Sequence, residues 1–102
     1  AKELCKKGFY RAAGAICGVV IEKHLYEVCT QHQINVNKKH PAINDYNELL
    51  KSNSVIDIPE WRNIQRLADI RNMCDHHKGA EPTKENIEEL IAGTDKMIKT
   101  IF

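Results

Sequence analysis

Four stretches of the chain repeat apolar residues at three- and four-residue steps, the spacing that lines one face of a helix. The first runs from about residue 3 to 31, with Cys5, Phe9, Ala12, Ala13, Ile16 and Val20 as its stripe. Nearly every residue between Ala12 and Ile21 is apolar or small, so this helix is expected to be covered on more than one side. The second is shorter. Pro41 suits its first turn, where a missing N–H costs nothing, and Ile43, Tyr46, Leu49 and Leu50 form its apolar face before Ser52-Asn53-Ser54 stops it. The third opens at Pro59, with Asp57 as cap and Trp61 as its main core anchor, and ends at Gly79. Thr83 caps the fourth, with Glu85 in its first turn. There Ile87, Leu90, Ile91, Thr94, Ile98 and Ile101 recur most cleanly, with Met97 at the edge, and Lys84, Glu88, Glu89, Asp95, Lys96 and Lys99 form the solvated face.

The segments between these stretches are polar or short. Residues 31–41 carry Asn35, Asn37, Lys38, Lys39 and His40 and read as a loop, whose basic triplet is either a phosphate contact or a solvated turn. Val55-Ile56-Asp57-Ile58 alternates like a strand but has no partner segment, so it reads as an apolar connector packed over the bundle. Short connections favour antiparallel neighbours, and the predicted fold is an all-α, four-helix, up-and-down bundle. Gly14 and Gly18, with Ala15 beside them, place a small-residue patch on the first helix. Glycine inside a helix costs about 1 kcal/mol relative to alanine, so something approaches closely there. The candidates are another helix of the same bundle and a second copy of the chain.

Composition narrows the class. One hundred and two residues with 42% hydrophobic and 28% charged content make one soluble globular domain. A net charge of +1 gives no global pull towards nucleic acid, so any RNA contact must come from a local patch. No apolar run has the length of a membrane span, and nothing at the start resembles a signal peptide. Because Ala1 leads straight into helical pattern, the chain reads as a domain cut from a longer protein. Four cysteines without a disulfide framework or a metal-ligand spacing imply reduced thiols and a cytoplasmic setting. Cys5, Cys17 and Cys29 follow one another at twelve-residue steps on one helix, roughly 18 Å apart. They cannot bridge one another, so at most one internal disulfide, to Cys74, is possible, and buried reduced thiols are expected. Cys74, His76 and His77 could ligate a metal, but a fourth ligand at suitable spacing is missing, so neither metal nor cofactor is expected.

The side chains suited to chemistry concentrate in Ile70-Arg71-Asn72-Met73-Cys74-Asp75-His76-His77-Lys78-Gly79, at the end of the third helix. On a helical projection Arg71 falls between Ile64 and Leu67, inside the apolar face. An arginine there has to find a partner, line a cleft or meet another chain. His76 lies roughly 140° further round. An ideal helix therefore does not bring it to Arg71: either the helix frays, or a second copy completes the site. His77, Lys78 and Gly79 are also an ordinary helix ending, basic groups against the negative dipole end with glycine after them. Arg71 is not explained that way. Arg11 and Glu22 lie three turns apart on nearly the same face as Gly18, and His24 and His32 read as solvated or partly packed histidines.

Arg71-Asn72-x-x-x-His76 resembles the Arg-x4–6-His motif of HEPN domains, small helical modules that include metal-independent ribonucleases of bacterial defence systems. Tyr10-Arg11-Ala12-Ala13 and Val20-Ile21-Glu22-Lys23-His24-Leu25 resemble the first helix of the DUF4145-like branch, and the similarity runs over nearly the whole chain. The resemblance implies a metal-independent endoribonuclease of a defence or toxin-type system that cleaves single-stranded RNA at a composite site in a homodimer. Arg71 and His76 would be catalytic, Asn72, His77 and Lys78 would face the substrate, and Arg11 and Glu22 would support the site from the first helix. The near-neutral net charge argues against tight nonspecific binding, so another domain of the parent protein is the candidate for delivering the RNA. The rival reading is a catalytically inactive helical dimerisation or partner-binding module, and a metal-binding switch at Cys74, His76 and His77 is the third.

Overall fold

A computed structural model describes residues 9–75 and 82–102. Among these residues there are four helices and no strand: α1 (Tyr10–Gln31), α2 (Ile43–Ser52), α3 (Ile58–Asp75) and α4 (Lys84–Thr100). The expectations for residues 3–8, including Cys5, and for His76, His77, Lys78 and Gly79 lie outside the described residues.

Each helix is bounded by identifiable backbone chemistry. α1 ends with Gln33 at φ 59°, Gln33 N–H donating to Thr30 O and Ile34 N–H to Cys29 O. α2 ends the same way, with Ser54 at φ 59°, Ser54 N–H on Lys51 O and Val55 N–H on Leu50 O. Both are Schellman closures, and both lay the next residue, Ile34 or Val55, against the core. Asp57 caps α3 as its spacing predicts: Glu60 N–H donates to Asp57 Oδ1 at 2.8 Å, and Asp57 N–H to Glu60 Oε1 at 2.9 Å. Thr83 and Asn86 make the same reciprocal pair at the start of α4. Two starts differ from the sequence reading. α2 begins at Ile43, with Pro41 outside it, because the Asp45 carboxylate accepts Ala42 N–H at 2.7 Å and fixes the turn there. Pro59 is the second residue of α3, not its first.

α1 and α3 form the central pair, each packed on all three other helices, while α2 and α4 flank them without touching each other. Gly14 faces Cys74 and Gly18 faces Arg71, so α1 and α3 run in opposite directions. Pro59 and Glu60 lie beside Met97 and Thr100 while Cys74 clusters with Ile87, and Trp61 meets Asn47 and Glu48 while Arg71 and Asn72 lie beside Ala42 and Ile43. α3 is thus antiparallel to each helix it touches, and α1 runs parallel to α2 and α4: Glu22 lies beside Ile43 and Tyr26 beside Tyr46, while Gly14 faces Ile87 and His24 reaches Ile101. The all-α four-helix bundle forms as expected, but its strict up-and-down order does not, because the loop after α1 brings the chain back to Glu22 before α2 begins. The core is built from Ile21, Leu25 and Val28 of α1, Leu50 of α2, Ile64, Leu67 and Ile70 of α3, and Leu90 and Met97 of α4.

Central position explains where the periodicity misled. The buried face of α1 is Ala13, Gly14, Cys17, Gly18, Ile21, Leu25, Val28 and Cys29, and the stripe read from Phe9, Ile16 and Val20 is exposed. The small residues turn inward because α3 approaches closest there. Met97 is buried rather than peripheral. Trp61 is a lid at the rim instead of a core anchor, its indole N–H on Glu48 at 2.8 Å and Lys51 Nζ 3.9 Å from its ring centre.

Candidate functional site

The seam between α1 and α3 is shaped around two side chains of α3. A Cβ on Gly18 would stand 2.6 Å from Arg71 Nε and 2.8 Å from Arg71 Cγ. One on Gly14 would meet Cys74, whose Cβ would be 2.8 Å away. Both glycines therefore serve a contact within the chain, which settles the choice between a neighbouring helix and a second copy in favour of α3. The Arg71 stem lies along α1 at Gly18, which is how a charged residue occupies the apolar face between Ile64 and Leu67.

At its far end the guanidinium meets the carboxylate of Glu22, one turn beyond Gly18, with Arg71 Nη2 3.6 Å from Glu22 Oε1. The side chains retain 26% and 33% of their exposure, so the pair sits at the protein surface and orients the guanidinium more than it stabilises the fold. Arg71, Glu22 and Asn72 line one notch, and the first turn of α2 closes it with Ala42, Ile43 and Asn44. Its volume of about 30 Å³ suits a water molecule or two, so a larger anion would engage these groups from the mouth. Asn44 and Asn72 are both exposed and flank the arginine with amides able to donate and accept. Tyr46 lies behind this wall, buried, and its phenol is pushed up from its ordinary pKa by burial first and by the Glu22 carboxylate second.

Arg11 stands at the same end of the seam but does not face the notch. Its Nη1 donates to Cys74 O at 3.1 Å and to Met73 O at 3.4 Å, among the last carbonyls of α3. This places a positive charge at the negative end of the helix dipole. Arg11 thus holds the segment from which the predicted histidines follow. Of the sequence-predicted set, the structure brings Arg71, Asn72 and Glu22 together and puts Arg11 in a supporting position. His76, His77 and Lys78 lie outside the described residues.

Two residues near the site escaped the sequence reading. Asn44 reaches the notch only because α2 begins beside Glu22, which no local pattern encodes. Asn47 is fully buried and donates from Nδ2 to Trp61 O at 2.9 Å, tying α2 to the first turn of α3. Polar periodicity would have placed it on a solvated face. His24 and His32 serve the end of the chain, their Nε2 atoms each 2.7 Å from the backbone oxygens of Ile101 and Phe102. Cys17, Cys29 and Cys74 are buried, and burial pushes the Cys29 thiol up from its usual pKa. Among the described residues no three His, Cys, Asp or Glu side chains converge as a metal site requires, and no helix is long and apolar enough to cross a membrane. No protein-family model, curated protein or solved structure matches the chain.

Proposed function

We propose that this chain is a metal-independent endoribonuclease domain of the HEPN type, serving a bacterial defence or toxin system in the cytoplasm. It would cleave single-stranded RNA at a site completed by a second copy of the chain. The observation that carries the reading is the seating of Arg71. A glycine on α1 makes room for its stem, Glu22 orients its guanidinium, and Asn44 and Asn72 flank it with unengaged amides. An arginine kept only for stability would not need an open notch.

RNA carries its own nucleophile. When the 2′-oxygen bonds to phosphorus, its proton passes to a base, the bond to the 5′-oxygen breaks, and that oxygen takes a proton from an acid. In this scheme Arg71 binds the phosphate oxygens through its planar fork and stabilises their gathering charge. His76, five residues on, exchanges protons with the 2′-OH or the leaving oxygen at near-neutral pH. Asn72, His77 and Lys78 face the substrate, and Arg11 steadies the helix end.

Labelled single-stranded RNA in excess EDTA is the assay. Arg71→Ala and His76→Ala should each lower the rate by roughly 10²–10⁴-fold, with the helical circular dichroism signal retained, and His77→Ala should do less harm. Intact RNA with the activated parent protein, or activity indifferent to both substitutions, ends the ribonuclease reading.

The inactive docking module then takes its place, and it has an observation of its own. Ile16, Val19 and Val20 on α1 are 44%, 63% and 37% exposed, and Ile16 and Val20 border a groove shared with Ile91 and Ile98 of α4. Light scattering at tens of micromolar tests the homodimer directly. A strict monomer there leaves no second copy to complete the site.

A further inference from the structure

We propose that the outer row of α1 and the loop between α1 and α2 form a track for single-stranded RNA, with the Tyr26 ring as a base-stacking platform. The proposal rests on the ribonuclease reading and extends it from the phosphate to the neighbouring nucleotide. Tyr26 is 53% exposed, unusual for a large aromatic side chain on a packed helix. Its ring is held edge-on by the buried Tyr46, with centroids 6.5 Å apart and planes at 75°. A fixed, open aromatic face is what an unstacked base requires, whatever its identity.

The surroundings of the ring suit a nucleobase. Tyr26 borders a groove of about 380 Å³ whose other walls are Thr30, Gln33, Ile34, Asn35 and Val36, within the size range of small-ligand sites. Ile34 and Val36 are half-buried and supply apolar walls, while the exposed amides of Gln33 and Asn35 can donate to and accept from a base edge. The groove is not loosely built: the Schellman closure at Gln33 fixes the backbone from which its wall rises. Thr30 is already committed, its hydroxyl donating to Tyr26 O at 3.0 Å.

Continuity with the Arg71 notch gives the track its direction. Glu22 of the notch and Tyr26 of the groove are one turn apart on α1, about 6 Å along its axis. The loop that supplies Gln33 to Val36 next presents exposed Lys38, Lys39 and His40, then delivers Ala42, Ile43 and Asn44 to the notch. Lys38 is tied to Asp45 at 3.2 Å, which leaves the exposed Lys39 and His40, between the two subsites along the chain, as the basic groups to meet phosphate. A net charge of +1 offers no general attraction for RNA. Affinity must therefore come from local charge interleaved with an aromatic face, as this stretch provides.

The test uses the whole chain and a labelled 2′-O-methylated single-stranded RNA, which lacks the nucleophile and so reports binding without cleavage. Tyr26→Ala should weaken binding roughly 5- to 150-fold, the range of one lost stacking contact, while Tyr26→Phe stays near wild type. The same RNA with abasic positions should lose affinity for the wild type but no further for Tyr26→Ala, the coupling expected of a direct contact. Lys39→Ala should reduce the salt slope by about one. Tyr26→Ala binding like the wild type, while unmethylated RNA is still cut in an Arg71-dependent way, overturns the track and leaves the ribonuclease reading standing. Tyr26-dependent binding of an RNA that the activated parent protein leaves intact removes the ribonuclease reading and keeps the track. RNA neither bound nor cut overturns both.

Discussion

The two ends of α3 use polar residues in opposite ways. At the first end, Asp57 and Glu60 cap the helix, Asn47 accounts for the Trp61 carbonyl, and Glu48 accepts the Trp61 indole N–H. Every one of these groups serves the helix or its junction with α2, and Ile64 and Leu67 fill the core beyond them. At the last end the relation is reversed. There α1 gives up side chains at Gly14 and Gly18 so that Cys74 and Arg71 can lie against it, and Arg71 carries its charge to the surface. At the first end the polar groups serve the fold alone. The last end is arranged around a charged group whose guanidinium reaches an open notch, and this difference is why the functional proposal rests on Arg71.

The comparison is tested most strongly by removing one residue from each half. Leu67 is 1% exposed and its methyls lie against Gly93, so Leu67→Ala should cost about 2–5 kcal/mol in denaturant unfolding. Arg71→Met keeps much of the stem against Gly18 while deleting the guanidinium. It leaves Glu22 one-third exposed to water, so the change should stay within about 1 kcal/mol. Equal losses from the two substitutions would make Arg71 a structural residue and dissolve the contrast.

Smaller effects sharpen it. Gly14→Ala drives a Cβ into Cys74, and overpacking of this kind costs about 1–3 kcal/mol, offset by up to about 1 kcal/mol of helix propensity. Adding Cys74→Ala should recover part of that loss, because removing the sulfur opens the contact, and a double-mutant cycle measures the coupling. Losses that simply add would mean the two residues do not meet. At the other end, Asp57→Ala should cost about 1 kcal/mol, the usual value of a helix cap, with no effect on any RNA cleavage. Reduced cleavage at matched folded fraction would show that the first end of α3 also shapes the site.

Much of this contrast was written in the sequence, and the parts that were not share a cause. The helices, the loop at 31–41, the Thr83 and Asp57 caps and the anomaly of Arg71 all depend on residues within a few positions of one another. Local periodicity and capping chemistry reveal such features. Periodicity does not reveal the buried face of α1, because α1 and α3 are covered by three neighbours each, which spreads apolar residues round the helix and blurs any single stripe. Gly14 and Gly18 marked the true face through an absence of side chain, which hydropathy does not register. Asn44 and Asn47 were invisible for a different reason: their roles come from where α2 lands, set by an irregular loop and by Asp45 reaching back to Ala42. The notch of Arg71, Glu22 and Asn72 was foreseen only as far as α1 and α3 supply it.

That same Asp45 gives the smallest and most specific effect. It fixes the first turn of α2, which forms the wall of the notch beside the last turns of α3. Its carboxyl is held below the ordinary value of 3.8, chiefly by the Ala42 N–H it accepts and then by Lys38. A carboxyl that gives up its proton more readily in the folded chain stabilises that chain above the unfolded value, near pH 4. The contribution is lost as pH falls through the lower folded value. The stability difference between wild type and Asp45→Asn should therefore be constant from neutral pH to about pH 4 and shrink below it. Other carboxylates titrate in both proteins and largely cancel from the difference. High salt adds a second check: at 1 M ionic strength screening acts over about 3 Å, so the Lys38 share should fall while the share from the backbone hydrogen bond remains. A difference that vanished entirely in salt would assign the shift to Lys38, and α2 would then be anchored by an exposed ion pair instead of by its own first turn.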